Sequence, residues 1–188
     1  MKIKPSMINI LHFVSGMLLL LFSVTATAKD EVTTSIIEFS PAIGYYEFDS
    51  KRELSNREMA GLGFGIHVSR RWAMILNYTA LNAVRGGSQQ GETVDVQKYH
   101  FDVYRFFYSQ HRFRPYLVIG LGGMDIISEG DKHNETQWNG GLGLSYRIAP
   151  KWFLRGDGRV FYSDSSGNTD YAYTLTLGFR LKEGEHGD

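Results

Sequence analysis

The last patterned stretch of the chain constrains the fold more than any other feature. From Asp170 the even positions read Asp170, Ala172, Thr174, Thr176, Gly178 and Arg180, and the odd positions read Tyr171, Tyr173, Leu175, Leu177, Phe179 and Leu181. Strict alternation with a period of two is the mark of a β-strand with one apolar and one polar or small face. The run is also long enough for a tilted strand to cross a bilayer. In a soluble sandwich the apolar face would be the core, so this segment establishes a strand and leaves its surroundings open.

The same template recurs along the chain. Trp152, Leu154, Val160 and Tyr162 alternate with Arg155, Asp157 and Arg159. Trp138, Leu142, Leu144, Tyr146 and Ile148 alternate with Gln137, Asn139, Gly141, Gly143, Ser145 and Arg147. Leu117, Ile119 and Leu121 face away from Gly120 and Gly122. Tyr99, Phe101 and Val103 oppose His100, Asp102 and Tyr104; Trp72, Met74, Leu76 and Tyr78 oppose Ala73, Asn77 and Thr79. Ala60, Leu62, Phe64, Ile66 and Val68 oppose Gly61, Gly63, Gly65, His67 and Ser69. An eighth segment, roughly Ile36 to Phe48, keeps Ile37, Phe39, Ile43 and Tyr45 on one parity. Pro41 lies inside it and cannot donate to a ladder, so a bulge or a later strand start is expected there.

The connections argue for a closed barrel in a membrane. Ser69–Arg71, Ser109–Arg114 and Ala149–Lys151 are short, whereas Asp49–Arg57, Arg85–Thr93, Ser128–Thr136 and Ser163–Asp170 are longer and more polar. Long and short alternate, as in outer-membrane barrels with tight periplasmic turns and longer external loops. With both termini in the periplasm, Trp72, Phe106, Phe107, Tyr108, Tyr116, Tyr146, Trp152 and Phe179 fall near the periplasmic rim. Tyr46, Trp138, Tyr162, Tyr171 and Tyr173 fall near the external rim, giving two aromatic girdles. Trp72, Tyr116, Trp138, Trp152, Tyr162, Tyr171 and Phe179 are the expected interface aromatics.

The opposite parity carries charge. Glu38, His67, His100, Asp102, Arg147, Arg155, Asp157, Arg159 and Arg180 would all point inward. An eight-stranded barrel is just wide enough to be filled by side chains, and charges inside must be paired. The expected interior network is Glu38, Asp102, Arg147, Arg155, Asp157, Arg159 and Arg180, forming a plug rather than a wide pore.

Residues 1–28 read as a cleaved signal peptide: Lys2 and Lys4 form a basic start, an apolar stretch follows, and Ala26-Thr27-Ala28 matches a cleavage site. Residues 29–188 are then the barrel domain. Removing the first segment takes away two lysines and no acid, so twenty acidic residues face eighteen basic ones. That balance gives no reason to expect nucleic-acid binding. With no Cys, the exported chain uses neither disulfides nor thiolate chemistry.

Gly44-Tyr45-Tyr46-Glu47-Phe48-Asp49-Ser50-Lys51-Arg52-Glu53-Leu54, Gly61-Leu62-Gly63-Phe64-Gly65, Arg71-Trp72-Ala73 and Arg114-Pro115-Tyr116 together resemble the OmpA-like transmembrane barrel family. The closing Leu177-Gly178-Phe179-Arg180-Leu181 is similar to the strand that the barrel-assembly machinery recognises. The resemblance implies an outer-membrane location, surrounding lipid and lipopolysaccharide, the assembly machinery as a partner during insertion, and a role in envelope integrity with at most narrow permeation. Only Lys182–Asp188 follow the last strand, so a peptidoglycan-binding domain is not expected.

Catalytic patterns are weak. Gly61-x-Gly63-x-Gly65 has Ile66 where a dinucleotide fingerprint needs glycine. No histidine pair has metal-ligand spacing, and no metal or cofactor is expected. His67-Val68-Ser69 is superficially similar to the element of a lipid A deacylase, yet its parity is inward and its position periplasmic. Asp157 between Arg155 and Arg159 reads as an ion pair. The expectation is an all-β, eight-stranded antiparallel up-and-down barrel, monomeric and non-enzymatic. The alternatives are a surface-interaction barrel binding through its loops, a lipid A-modifying enzyme, and a soluble periplasmic β-domain.

Overall fold

The computed structural model describes residues 36–86, 91–108, 111–128 and 131–182. The expected signal segment, residues 1–28, lies outside them. Eight strands follow one another: β1 (Ile36–Glu47), β2 (Arg57–His67), β3 (Trp72–Val84), β4 (Thr93–Phe106), β5 (Phe113–Ser128), β6 (Asp131–Arg147), β7 (Trp152–Ser163) and β8 (Thr169–Lys182). Each pairs antiparallel with its sequence neighbours, and β8 pairs with β1, so the sheet closes into an up-and-down barrel.

The register sets the barrel's width. Stepping across partners from Ile36 leads through His67, Ala73, Tyr104, Val118, Gly141, Arg159 and Ala172 back to Tyr46, ten residues further along β1. With strands spaced ~4.8 Å and rising ~3.3 Å per residue, this stagger tilts them about 40° and leaves an interior of side-chain width. Ile36 and Lys182 are partners at one rim, the near end, where β2 ends and β3 begins, β4 ends and β5 begins, and β6 ends and β7 begins.

The apolar parity faces outward throughout the wall. Leu142 (68 % exposed), Ile43, Phe64, Leu76, Leu62, Phe101, Leu117 and Leu175 are all bare. An exposed apolar band of this size on a monomer requires an apolar surround. At the far end the polarity inverts: on β3 and β4 the outward residues become Asn82, Asp95 and Gln97, while Leu81, Ala83, Val94 and Val96 turn inward. There they pack with Tyr46, Phe48, Met59, Met124, Ile126 and Phe161. The inversion shows strands leaving an apolar environment and building a water-type core beneath the far-end connections.

Two sequence expectations change. Pro41 sits in neither a bulge nor a delayed start. The β1–β8 register is the same on both sides of it, and the ladder only skips Ser40 and Pro41, where the missing N–H leaves no donor. The polar segment Ser128–Thr136 is no loop either: Asp131–Thr136 continue β6 and pair with Gly123–Ser128. Asp131–Asn134 are exposed on both faces, whereas Glu135, like Met124 and Ile126 on the opposite strand, turns inward, so the hairpin lacks the apolar outer parity that reveals the other strands.

Candidate functional site

The inward face is organised in three layers. Near the terminal rim, Glu38 on β1 is fully buried. It lies 3.0 Å from Arg155 Nη2 and 3.6 Å from Arg180 Nε, and 2.6 Å from His67 Nε2. The β1–β8 register sets Glu38 directly beside Arg180.

The middle layer centres on Arg159. Its Nη1 donates to Asp102 at 2.5 Å, its Nε to Asp157 at 2.6 Å and its Nη2 to the Tyr104 hydroxyl at 2.6 Å. Asn77 and Asn139 each donate to Asp102 at 2.8 Å, and the Tyr116 hydroxyl donates to Asp157 at 2.6 Å. Glycine makes the room: a Cβ on Gly120 would lie 1.8 Å from Asp102 Oδ1 and 2.5 Å from Asn139 Nδ2. Two carboxylates around one guanidinium, each with further donors, is how buried charge becomes tolerable.

The far layer is built around a loop residue. Arg52, in a short 3₁₀ turn (Ser50–Arg52), reaches back into the mouth with its side chain only 3 % exposed. It donates to both Glu135 oxygens, to Asp170 Oδ1 at 2.9 Å and to Ser163 Oγ at 2.8 Å. Beneath it Tyr46 donates to Asp170 at 2.9 Å, and Lys98 Nζ donates to Tyr46 while lying 3.4 Å above the Phe161 ring. Burial alone would lower the Arg52 pKa, but Glu135 and Asp170 outweigh it and raise the value, so the guanidinium stays charged. Asp49 caps the turn. It accepts from the Thr169 and Lys51 backbone N–H groups, which hold its carboxyl below its ordinary value.

Glu38, Asp102, Arg155, Asp157, Arg159 and Arg180 are therefore brought together in two adjoining layers. Arg147 is not: as the last residue of β6 it emerges at the rim, exposed. Among the aromatics, Trp152, Tyr162 and Tyr171 are exposed on the outer wall, and Trp72, Trp138 and Phe179 are half-buried on it. Trp152 packs on Phe179 with 4.8 Å between ring centroids, and Trp138 pairs across strands with Tyr162. Tyr116 lies inside the barrel, as do Phe106 and Tyr46. The parity set by Leu117, Ile119 and Leu121 already turns Tyr116 inward; its residue type suggested a girdle and was the poorer guide.

Arg52, Glu135, Asp170, Lys98 and Arg114 belong to the interior without having been singled out in sequence. Lys98 continues the inward parity of His100 and Asp102, a signal that extending the strand by two residues would have found. Arg52 follows no periodicity. His67 is engaged by Glu38, while Ser69 Oγ accepts from the Arg71 and Trp72 backbone N–H groups at the turn, so the two do not form a nucleophile–base pair. Among the described residues no three His, Cys, Asp or Glu side chains gather to hold a metal ion.

No curated protein matches the chain in sequence. Its fold is similar to the N-terminal β-barrel domain of OprF from Pseudomonas aeruginosa, with TM-score 0.53 and 17 % identity over 78 % of this chain and 98 % of that one. It is likewise similar to neisserial surface protein A, NspA, with TM-score 0.57 and 15 % identity over 82 % of this chain and 100 % of that one. At such identities the likeness is one of fold. A family profile, the outer membrane protein beta-barrel domain, matches residues 16–182. The closed eight-stranded wall, its bare apolar outer face and this match together place the chain in the outer membrane β-barrel protein family.

Proposed function

We propose that the protein is a sealed outer-membrane barrel that contributes to envelope integrity as a rigid, non-catalytic and non-conducting element. The observation that carries this reading is the layered closure of the lumen. Glu38, Arg159 and Arg52 each anchor an ion-paired tier, and the void beside Lys98, His100, Asp102, Tyr104, Arg155 and Arg159 is about 50 Å³. A water occupies ~30 Å³ of liquid, so that void suits one or two waters rather than a hydrated ion. Planar-bilayer recording tests the reading directly. Silent membranes that nonetheless contain folded barrel support it, and stable unitary conductance overturns it in favour of a narrow pore.

The β5–β6 hairpin favours a second reading, an interaction surface on the external side. Its ladder runs to Ser128 and Asp131, and Asp131, Lys132, His133 and Asn134 are exposed. Lys132, 54 % exposed, gives the handle. A membrane-impermeant amine reagent should label it on intact cells, and K132R should lose that label. Labelling only after the envelope is broken would remove this surface from consideration.

A further inference from the structure

The near end of the lumen holds more guanidinium than its acids use. Arg114, Ser145 and Arg155 are register partners across β5, β6 and β7, all turned inward and only 7 %, 0 % and 2 % exposed. Arg180 joins them from β8 through Glu38. Arg155 and Arg180 share that single carboxylate, and one of its oxygens is also taken by His67. Asp157, also on β7, is occupied by Arg159 and Tyr116.

The result is a set of buried donors without acceptors. Arg114 Nη2, Arg155 Nε and Nη1, Arg180 Nε and Nη2, and Ser145 Oγ have no hydrogen-bond partner in the protein. Neighbouring rings do not fill the gap. Phe106 lies 4.8 Å from the Arg114 guanidinium, and Phe153 lies 5.1 and 4.4 Å from those of Arg155 and Arg180. A ring attracts a guanidinium through its π face and offers the in-plane N–H groups no lone pair. Buried donors left this way are costly, and several converging from adjacent strands are the ordinary makings of an anion site.

We propose that Arg114, Ser145, Arg155 and Arg180 bind a protonated phosphate at the near-end mouth of the lumen. Guanidinium forks match phosphate oxygens, and donors arriving from four strands suit a tetrahedral acceptor better than a planar carboxylate. Glu38 sharpens the choice. Its Oε1, ion-paired at 3.0 Å with Arg155 Nη2 but accepting no well-aligned hydrogen bond from the protein, keeps a lone pair to accept one from the ligand. Hydrogen phosphate and the monoanionic form of a phosphomonoester carry a proton to donate there, whereas sulfate and phosphodiesters do not. The ligand is thus inorganic phosphate or the monoester headgroup of a lipid such as phosphatidic acid.

The test is calorimetric titration of the folded full chain with inorganic phosphate and with sulfate, in zwitterionic detergent. One saturable phosphate site is expected, with sulfate about tenfold weaker or worse and R114Q weakening phosphate about tenfold. S145A, which removes a single neutral donor, should weaken it a few-fold. R71Q, on the exposed turn outside the lumen, should leave it unchanged. Unheated gel mobility verifies that each variant is folded. Nanodiscs separate the sources: competition by phosphatidic acid but not phosphatidylglycerol identifies the lipid headgroup, and undiminished phosphate binding in both identifies the free ion. Absence of saturable phosphate binding to folded wild type, equal affinity for sulfate, or undiminished binding by folded R114Q would each overturn the assignment.

Discussion

Arg52 donates through both terminal guanidinium nitrogens to the two carboxylate oxygens of Glu135, at 2.9 and 2.7 Å, and so ties the first far-end connection to β6 across the mouth of the barrel. The same guanidinium holds Asp170 on β8, which also accepts from the Asp49 backbone N–H. With Ser163 on β7 accepting as well, a loop that in sequence looks free to move is fastened to three strands through one side chain.

Removing Arg52 strands Glu135 and Asp170 without their shared cation. Breaking one side of a buried pair costs about 3–5 kcal/mol, and a mouth position beside water should fall near about 3 kcal/mol. Urea unfolding of R52A in detergent is expected to show that loss, while bilayer recordings stay silent because the Asp102–Arg159 tier beneath remains closed. Channel openings in R52A would mean that the loop, not the deeper tier, is the seal.

The loop anchor should be pH-dependent through Asp49. Its carboxyl is held below its ordinary value of 3.8, first by the Thr169 N–H and then by Lys51. A depressed folded-state value means that stabilisation is present above the ordinary value and is lost as pH falls through the folded one. Hydrogen exchange at the Lys51 and Thr169 amides should therefore accelerate as pH drops below about 4, once corrected for intrinsic rates. D49N should exchange faster at neutral pH with that extra dependence gone.

The middle tier depends on volume as much as charge. Gly120→Ala would force a methyl against Asp102 Oδ1 and Asn139 Nδ2, whereas Gly140, one strand over, has nothing within 4 Å of a built Cβ. G120A is expected to destabilise by about 1–3 kcal/mol, and G140A to stay within about 0.5 kcal/mol. Equal behaviour of the two in urea titrations would show that Asp102 can shift without loss. Arg159→Ala, which leaves both Asp102 and Asp157 uncompensated, should cost more than either, about 3–5 kcal/mol.

Much of this was readable in the sequence, and the limits have physical reasons. Alternation reported the strands faithfully wherever one face met an apolar surround and the other the lumen, as from Tyr171 to Leu181. It failed where the surround changed: Asp131–Asn134 see water on both faces, and Val94 and Val96 reverse polarity beyond the apolar band. Parity predicted Glu38, Asp102, Arg155, Asp157, Arg159 and Arg180 together, because inwardness is a property of the strand. Arg147 shows that parity says nothing about where a strand leaves the barrel. Arg52 escaped because a loop folding back into the lumen is decided by partners 83 and 118 residues away.

The outer wall offers the sharpest separation between a membrane barrel and a water-soluble one. Leu142, midway along the apolar outer stretch of β6 from Trp138 to Tyr146 and paired with Leu117 and Gly158, is 68 % exposed. In water such a residue could become arginine within about 0.5 kcal/mol, since exposed surface sites tolerate charge. In a bilayer the same change places a guanidinium on the lipid face near the middle of the band, at a cost of about 2–4 kcal/mol. L142R should therefore fold normally in a zwitterionic detergent that lets the charge reach water, yet unfold at lower urea in phosphatidylcholine vesicles. Leu144→Arg, one step nearer the rim, should lose less because the side chain can reach the interface. A vesicle stability for L142R equal to wild type would place the β6 outer face away from hydrocarbon and remove the main support for a spanning barrel.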